Sequence, residues 1–294
     1  QTYTAFELII CDNASTDGTR SICERFAALD RRIIYARHER NLGAAENFNE
    51  SFRLARGRYF KWAAHDDVIA PLFLEKAVQA LDAMPEAVLC SSVVSMINAQ
   101  GQDLGTYDPG RLNTGSPQRH TRFWARLHES WCKEVFGLIR SESLRQTPMI
   151  GEYGDADRAL VAELALLGPF IVLDDILFMN REHDKRYTRT AIHDPKANLA
   201  WYSSDRRSRF LMQRWVLYGA FFDAVRRQGG NRNDRIRCYL QIVRSLGVNW
   251  NFFLLVMDPL VAVEPRIFVY VKQFKRRLLG YKKWSTLFED SSRL

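Results

Sequence analysis

The sequence predicts an α/β protein: a mostly parallel sheet with flanking helices, followed by a C-terminal helical extension. Three observations carry this. Short runs rich in β-branched and aromatic residues alternate with helical patterns along the first part of the chain, the order of parallel βαβ units. From about residue 198 the strand signals stop and long mixed helical patterns take over. The charge changes with them. Residues 200–294 carry 18 Lys/Arg against 7 Asp/Glu, whereas the first 199 carry 24 against 27. The expected organisation is therefore one α/β unit over 1–195 and a basic helical extension over 196–294.

The elements follow in order. Residues 6–11 read Phe-Glu-Leu-Ile-Ile-Cys, a strand that ends at Asp12. Ser15 or Thr16 can cap the next helix, whose inward face would be Ile22, Phe26 and Leu29. A second strand covers 32–37, and Asn41-Leu42-Gly43 makes a turn into a helix over 44–55. Gly57 punctuates the chain before Tyr59, Phe60 and Trp62, a strand that runs into the adjacent carboxylates Asp66 and Asp67. Pro71 suits the first turn of a helix over 72–84. Residues 87–94 are apolar throughout, as in a strand covered on both faces. The polar, Gly/Pro-bearing stretch 98–120 is a long loop or a short hairpin. A helix over 123–131, a strand over 135–140 and a short helix from Ser141 come next. A strong helix over 159–167 stops at Gly168-Pro169, a strand covers 170–173, and residues 177–183 end the region that carries the candidate site. In the extension, helices are expected over 210–227, 235–246 and 265–279.

Composition narrows the class. With 47% hydrophobic and 26% charged residues the chain is globular in character. Its five cysteines are odd in number and widely spaced, which argues against a disulfide scaffold or a cysteine metal site. The longest apolar run, 252–263, is too short for a membrane span and is broken by Asp258 and Pro259. No signal peptide is visible, so the expected location is cytoplasmic, peripheral on the inner face of a membrane. The basic extension, with aromatic residues beside Lys275, Arg276 and Arg277, points to an anionic membrane surface. Nucleic acid is not among the expected partners.

The chemistry-bearing residues sit at strand ends. Asp12, Asp66 and Asp67 each fall where a strand gives way to a helix. In a parallel sheet those ends share one edge, where ligands bind. Two adjacent carboxylates repel unless a cation lies beside them. Mg²⁺ or Mn²⁺ takes one or two carboxylates plus substrate phosphates. The same pair can also simply cap the following helix, and Asp12 can be a turn residue. No Ser/His/Asp or Cys/His constellation is evident.

Several stretches together carry a resemblance: 6–19 (FELIICDNASTDGT), 41–49 (NLGAAENFN), 55–67 (ARGRYFKWAAHDD), 136–140 (FGLIR), 157–168 (DRALVAELALLG) and 181–183 (REH). With these in this order, the chain resembles glycosyltransferase family 2, the inverting GT-A enzymes. The resemblance implies a GT-A (Rossmann-like) fold, a nucleotide-diphosphate sugar donor with a UDP-sugar the first choice, Mg²⁺ or Mn²⁺, and a glycan or lipid-linked acceptor. It casts Asp157 as catalytic base, with Asp155 a rival. It casts Asp12, Asp66, Arg181 and His183 as donor-binding. Asp67 and Asp66 become the metal site, with Asp67 the direct ligand. Three departures stand out. The family's opening strand and first helix are missing, which makes the chain look like an N-terminally truncated fragment. Ala64 and Ala156 stand where the family often has Asp and Glu. A competing expectation is a non-catalytic fragment that serves as a membrane-surface or partner-binding module. A nucleotidyltransferase would want a glycine-rich basic phosphate loop after its first strand, and none is visible.

Overall fold

A computed structural model describes residues 1–129, 131–184, 186, 195–204, 212–248, 251–263 and 267. The chain begins with β1 (Leu8–Asp12), α1 (Thr19–Leu29), β2 (Ile33–Arg37) and α2 (Ala44–Leu54). Then come β3 (Tyr59–Phe60), β4 (Val68–Ile69), α3 (Phe73–Ala83), β5 (Leu89–Ile97) and β6 (Asp103–Tyr107). After α4 (Arg119–Leu127), β7 (Leu138–Arg140) and α5 (Ser141–Arg145), the chain forms α6 (Ala156–Leu167) and β8 (Phe170–Arg181). Among the described residues four further helices follow: α7 (Pro195–Tyr202), α8 (Gln213–Gln228), α9 (Arg232–Leu246) and α10 (Asn251–Val263).

The α/β class is as expected, but the sheet is mixed. β1 and β2 pair in parallel as a two-stranded sheet of their own. The larger sheet runs β3-β7-β5-β8-β4, with β6 added on β5. Only β5 and β8 are parallel in it; the β3, β4, β6 and β7 pairings are antiparallel. The polar stretch after β5 thus returns as a hairpin strand.

The expected long strand before the carboxylates stops after Phe60, because side chains take over from the ladder. Lys61 turns its ammonium inward and donates to the carbonyls of Trp62 and Phe136. Trp62 Nε1 donates to the Phe48 carbonyl. Residues 61–67 therefore cross the sheet edge as a pinned loop. The strand expected over 170–173 runs on without a break to Arg181 as β8.

Helix α6 lies at the centre. One side (Leu160, Val161, Leu164, Ala165) packs with Phe52, Phe60, Trp62 and Ile139. The other (Ala159, Ala162, Leu166) packs with Phe123 and with Leu217, Phe221, Cys238 and Ile242 of α8 and α9. A helix apolar on all sides is stable only when covered on all sides. The basic helices therefore share a core with the α/β part, and Arg227 of α8 adds a bidentate pair with Glu163 of α6.

The run 252–263 forms α10 despite Pro259. A proline leaves the carbonyl four residues earlier without its helical partner. That carbonyl, on Leu255, accepts Trp215 Nε1 at 3.0 Å. The buried Asp258 accepts the backbone N–H groups of Arg214 and Trp215 and so caps α8. Both presumed breakers are the joint between α10 and α8. The helix expected over 265–279 lies outside the described residues.

Candidate functional site

A cavity of about 1970 Å³ opens between β1 and β3 and extends to the loop carrying the carboxylate pair. Leu8, Ile10 and Tyr59 line one part; Lys61, Asp66, Asp67, Lys133, Asp155, Asp157 and His183 line another. Asp12 and Arg181 are not among the lining residues.

Asp12 is buried at the end of β1, and its carboxylate is fully engaged. It accepts from the Ser15 backbone N–H at 2.7 Å and from the Tyr35 hydroxyl at 2.6 Å, with Arg37 at 3.4 Å. Burial alone would raise its pKa, but the hydrogen bonds from Ser15 and Tyr35 and the charge of Arg37 outweigh it and lower it. Asp12 thus fixes the β1–β2 turn, and the adjacent Asn13 reaches across to Leu42 N–H and the Gly43 carbonyl. Gly43 holds φ +88°, and a Cβ there would lie 2.6 Å from the Tyr202 carbonyl. This turn needs glycine on both counts.

The carboxylate pair divides its work. Asp67, the residue expected to ligate metal directly, lines the cavity but is tied to β8. Asn180 Nδ2 donates to both its oxygens at 2.9 and 3.0 Å, and the Arg181 backbone N–H donates at 2.8 Å. Burial, then the charge of Asp66, raises its pKa. Asp66 faces the cavity with His183 Nε2 at 2.9 Å from Oδ2. Burial would raise its pKa as well, yet the His183 bond, a backbone hydrogen bond and the charges of His65 and Arg186 together outweigh this and lower it. Arg181 donates to the carbonyls of Asp66, Asn98 and Ala99. Its guanidinium therefore clamps the loop and is not presented to a ligand.

Asp157 opens α6 and keeps part of its surface in the cavity. Burial, then Asp155, pushes its pKa up to about 6. Its own carboxylate accepts the Arg158 backbone N–H. Asp155 precedes it at φ 62°, a left-handed conformation rare for a side chain other than glycine. Asp155 pairs with Arg158 at 3.3 Å.

Three further residues were not singled out by the sequence. Asn180, fully buried, links the site: its amide nitrogen holds Asp67 while its Oδ1 accepts Lys133 Nζ at 2.6 Å and Arg186 Nη1 at 3.0 Å. Burial, then the charge of Arg186, pushes the Lys133 pKa down to about 8. Lys133 is aimed by its neighbours, since the buried Arg126 grips Glu134 and the Trp131 carbonyl on either side. Lys61 lies over the rings of Phe73 and Phe178 at 4.9 and 5.0 Å, and burial pushes its pKa down to about 7. The signal for Asn180 was present. On a strand, alternate residues share a face, and Asn180 shares its face with the buried Phe178.

The donor set decides which cation could be held. Among the described residues no group of three or more His, Cys, Asp or Glu side chains stands ready for a metal. Asp66 and His183 form a pair, and the neighbouring Asp67 accepts three hydrogen bonds of the four a carboxylate can take. Such a pair suits a Mg²⁺- or Mn²⁺-type ion that takes its remaining ligands from a substrate diphosphate and water.

Comparison with known proteins places this geometry in context. Residues 1–146 match the model for glycosyl transferase family 2. GlyG, a glycosyltransferase from Streptococcus pneumoniae serotype 4, is 28% identical over 199 residues, covering 65% of each chain. TuaG from Bacillus subtilis, a putative teichuronic acid biosynthesis glycosyltransferase, is 38% identical over 79 residues, 27% of this chain and 31% of its own. The chain thus spans about a third of the length of relatives such as TuaG. Among solved structures, the mannosyltransferase PcManGT from Pyrobaculum calidifontis, in complex with GDP-Man and Mn²⁺, superposes with a TM-score of 0.53 at 19% identity. That match covers 96% of this chain and 74% of the other, and it shows a shared fold.

Proposed function

We propose that this chain, whose residues 1–146 match glycosyl transferase family 2, moves a sugar from a nucleotide-diphosphate donor to a hydroxyl of a glycan or lipid-linked acceptor, with inversion. The observation that carries this reading is that the Asp66–His183 pair and Asp157 line one cavity. The anomeric carbon loses its bond to the diphosphate oxygen and gains one to the acceptor oxygen. Asp157 takes the acceptor proton, as a carboxylate with a pKa near 6 can do at neutral pH. Asp155, held by Arg158, sets the left-handed turn that starts α6. Asp66 and His183 would hold the divalent cation, which when bound neutralises charge on the departing diphosphate. Asp67, fixed by Asn180, keeps the loop in place so that Asp66 faces the cavity. Lys133 adds positive charge beside the same network.

Donor binding tests this directly. Calorimetry with UDP- and GDP-sugars should show binding that strengthens with Mn²⁺ or Mg²⁺ and loses that gain in Asp66→Asn. Equal binding by wild type and Asp66→Asn, with and without chelator, would overturn the metal assignment. Release of nucleoside diphosphate with retained anomeric configuration would overturn inversion.

A further inference from the structure

The sequence signal for a lipid surface rested largely on residues 268–283, which lie outside the described residues. The described helices carry an independent surface. On α9, Ile236, Leu240 and Val243 recur at helical spacing and are between 48 and 59% exposed. The opposite side of that helix, with Cys238, Ile242 and Ser245, is buried. On α10, Phe252, Val256, Leu260 and Val263 form a second row, between 50 and 86% exposed. Helix α8 adjoins both rows. Its exposed Phe222 stacks on Tyr239 of α9 at 5.6 Å, and its exposed Trp215 bonds the Leu255 carbonyl of α10 at 3.0 Å.

Apolar rows of this extent, open to water on adjacent helices, mark an interaction surface. The charges around them specify the partner. Helix α9 carries Arg232, Arg235, Arg237 and Arg244 against the single acid Asp234. Arg232 sits one turn before Ile236 in the same row, and the exposed Arg235 and Arg237 flank the row on either side at 100° per residue. Residues 200–294 as a whole hold 18 Lys/Arg and 7 Asp/Glu, a net +11. An aliphatic and aromatic strip rimmed by arginines matches the boundary between acyl chains and anionic headgroups, where long basic stems lie along apolar surface with their charge in the headgroup layer. A second copy of this chain fits less well, because a two-fold contact would set each arginine rim against the other. No single helix among the described residues is long and apolar enough to cross a membrane; α9 and α10 meet that test of length and composition only together, as a bent pair. We propose that α9 and α10, with Trp215 and Phe222 of α8, form a docking surface for an anionic lipid bilayer.

The test uses the full chain and vesicles of phosphatidylcholine with or without phosphatidylglycerol. The protein should float with the anionic vesicles at low salt and detach as salt is raised. Arg232→Gln with Arg237→Gln should weaken partition about fivefold per charge removed. Leu240→Ser with Val256→Ser should weaken it too, and circular dichroism should be unchanged because both side chains are exposed. Tryptophan fluorescence should shift to the blue on adding anionic vesicles and be quenched by brominated lipid, and Trp215→Phe should lose part of both changes. Equal flotation on neutral and anionic vesicles, or none on either, would overturn the proposal. So would a dimer in solution that Leu240→Ser dissociates.

Discussion

Helices α1 and α6 each present apolar residues at helical spacing, yet they differ in what covers them. In α6, Leu160, Leu164 and Leu166 are buried by a core on each side. In α1, Ile22, Phe26 and Leu29 are 51, 47 and 77% exposed, and Cys23 is the buried residue. Periodicity marks a face that can be buried. Whether it is buried depends on what the fold sets opposite. The carboxylates that follow strands repeat the contrast. Asp12 is consumed by its own turn, whereas Asp66 remains at the cavity because Asn180 and Arg181 occupy its neighbour.

Stability measurements can break that comparison. Leu164→Ala, in the shared core, should cost about 2–5 kcal/mol by denaturant unfolding. A loss below 1 kcal/mol, roughly the range of a surface substitution, would mean α6 is not the central element. Asn180→Ala should come next, at about 1–3 kcal/mol, because it leaves Asp67 and Lys133 buried without their shared partner. Lys133→Met should lower the affinity for nucleotide-sugar while leaving the fold intact by circular dichroism.

Asp157 gives an effect of opposite sign. Its folded pKa of about 6 lies above the ordinary carboxylate value of 3.8. Between those values the native state binds more protons than the unfolded state, so this group lowers stability as pH rises from about 4 to about 6. Asp157→Asn should therefore raise stability at neutral pH, on the order of 1–3 kcal/mol, and flatten the pH dependence in that window. Unchanged stability would mean that the carboxylate is not strained by burial. The smallest effect belongs to α1. Phe26→Ser should move stability by no more than about 0.5 kcal/mol, and a large loss would show that its face is covered in solution.

Much of this was legible in the sequence. The turn residues and caps announced α2, α3, α5 and α6, and the carboxylate pair and REH stretch converge at one loop. What was not legible depended on distant pairing. The antiparallel returns of β3 and β7 involve residues about 80 positions apart, such as Tyr59 with Arg140. No local pattern encodes that. Arg181 read as a ligand-facing cation because its donors could serve a phosphate or a carbonyl equally well. Only the approach of the Asn98–Ala99 turn decides between them. Pro259 read as a break because its compensation, Trp215, comes from another helix.

The central claim is that Asp157 takes the acceptor proton in a cavity shared with Asp66 and His183. Single-turnover transfer, with a donor and acceptor identified by screening, tests it through Asp157→Asn and Asp155→Asn as a function of pH. The rate of the unsubstituted chain should rise through pH about 6. Asp157→Asn should lose about 10²–10⁴ of that rate and its pH dependence while still binding donor. Full loss in Asp155→Asn with Asp157→Asn nearly unaffected would contradict the account.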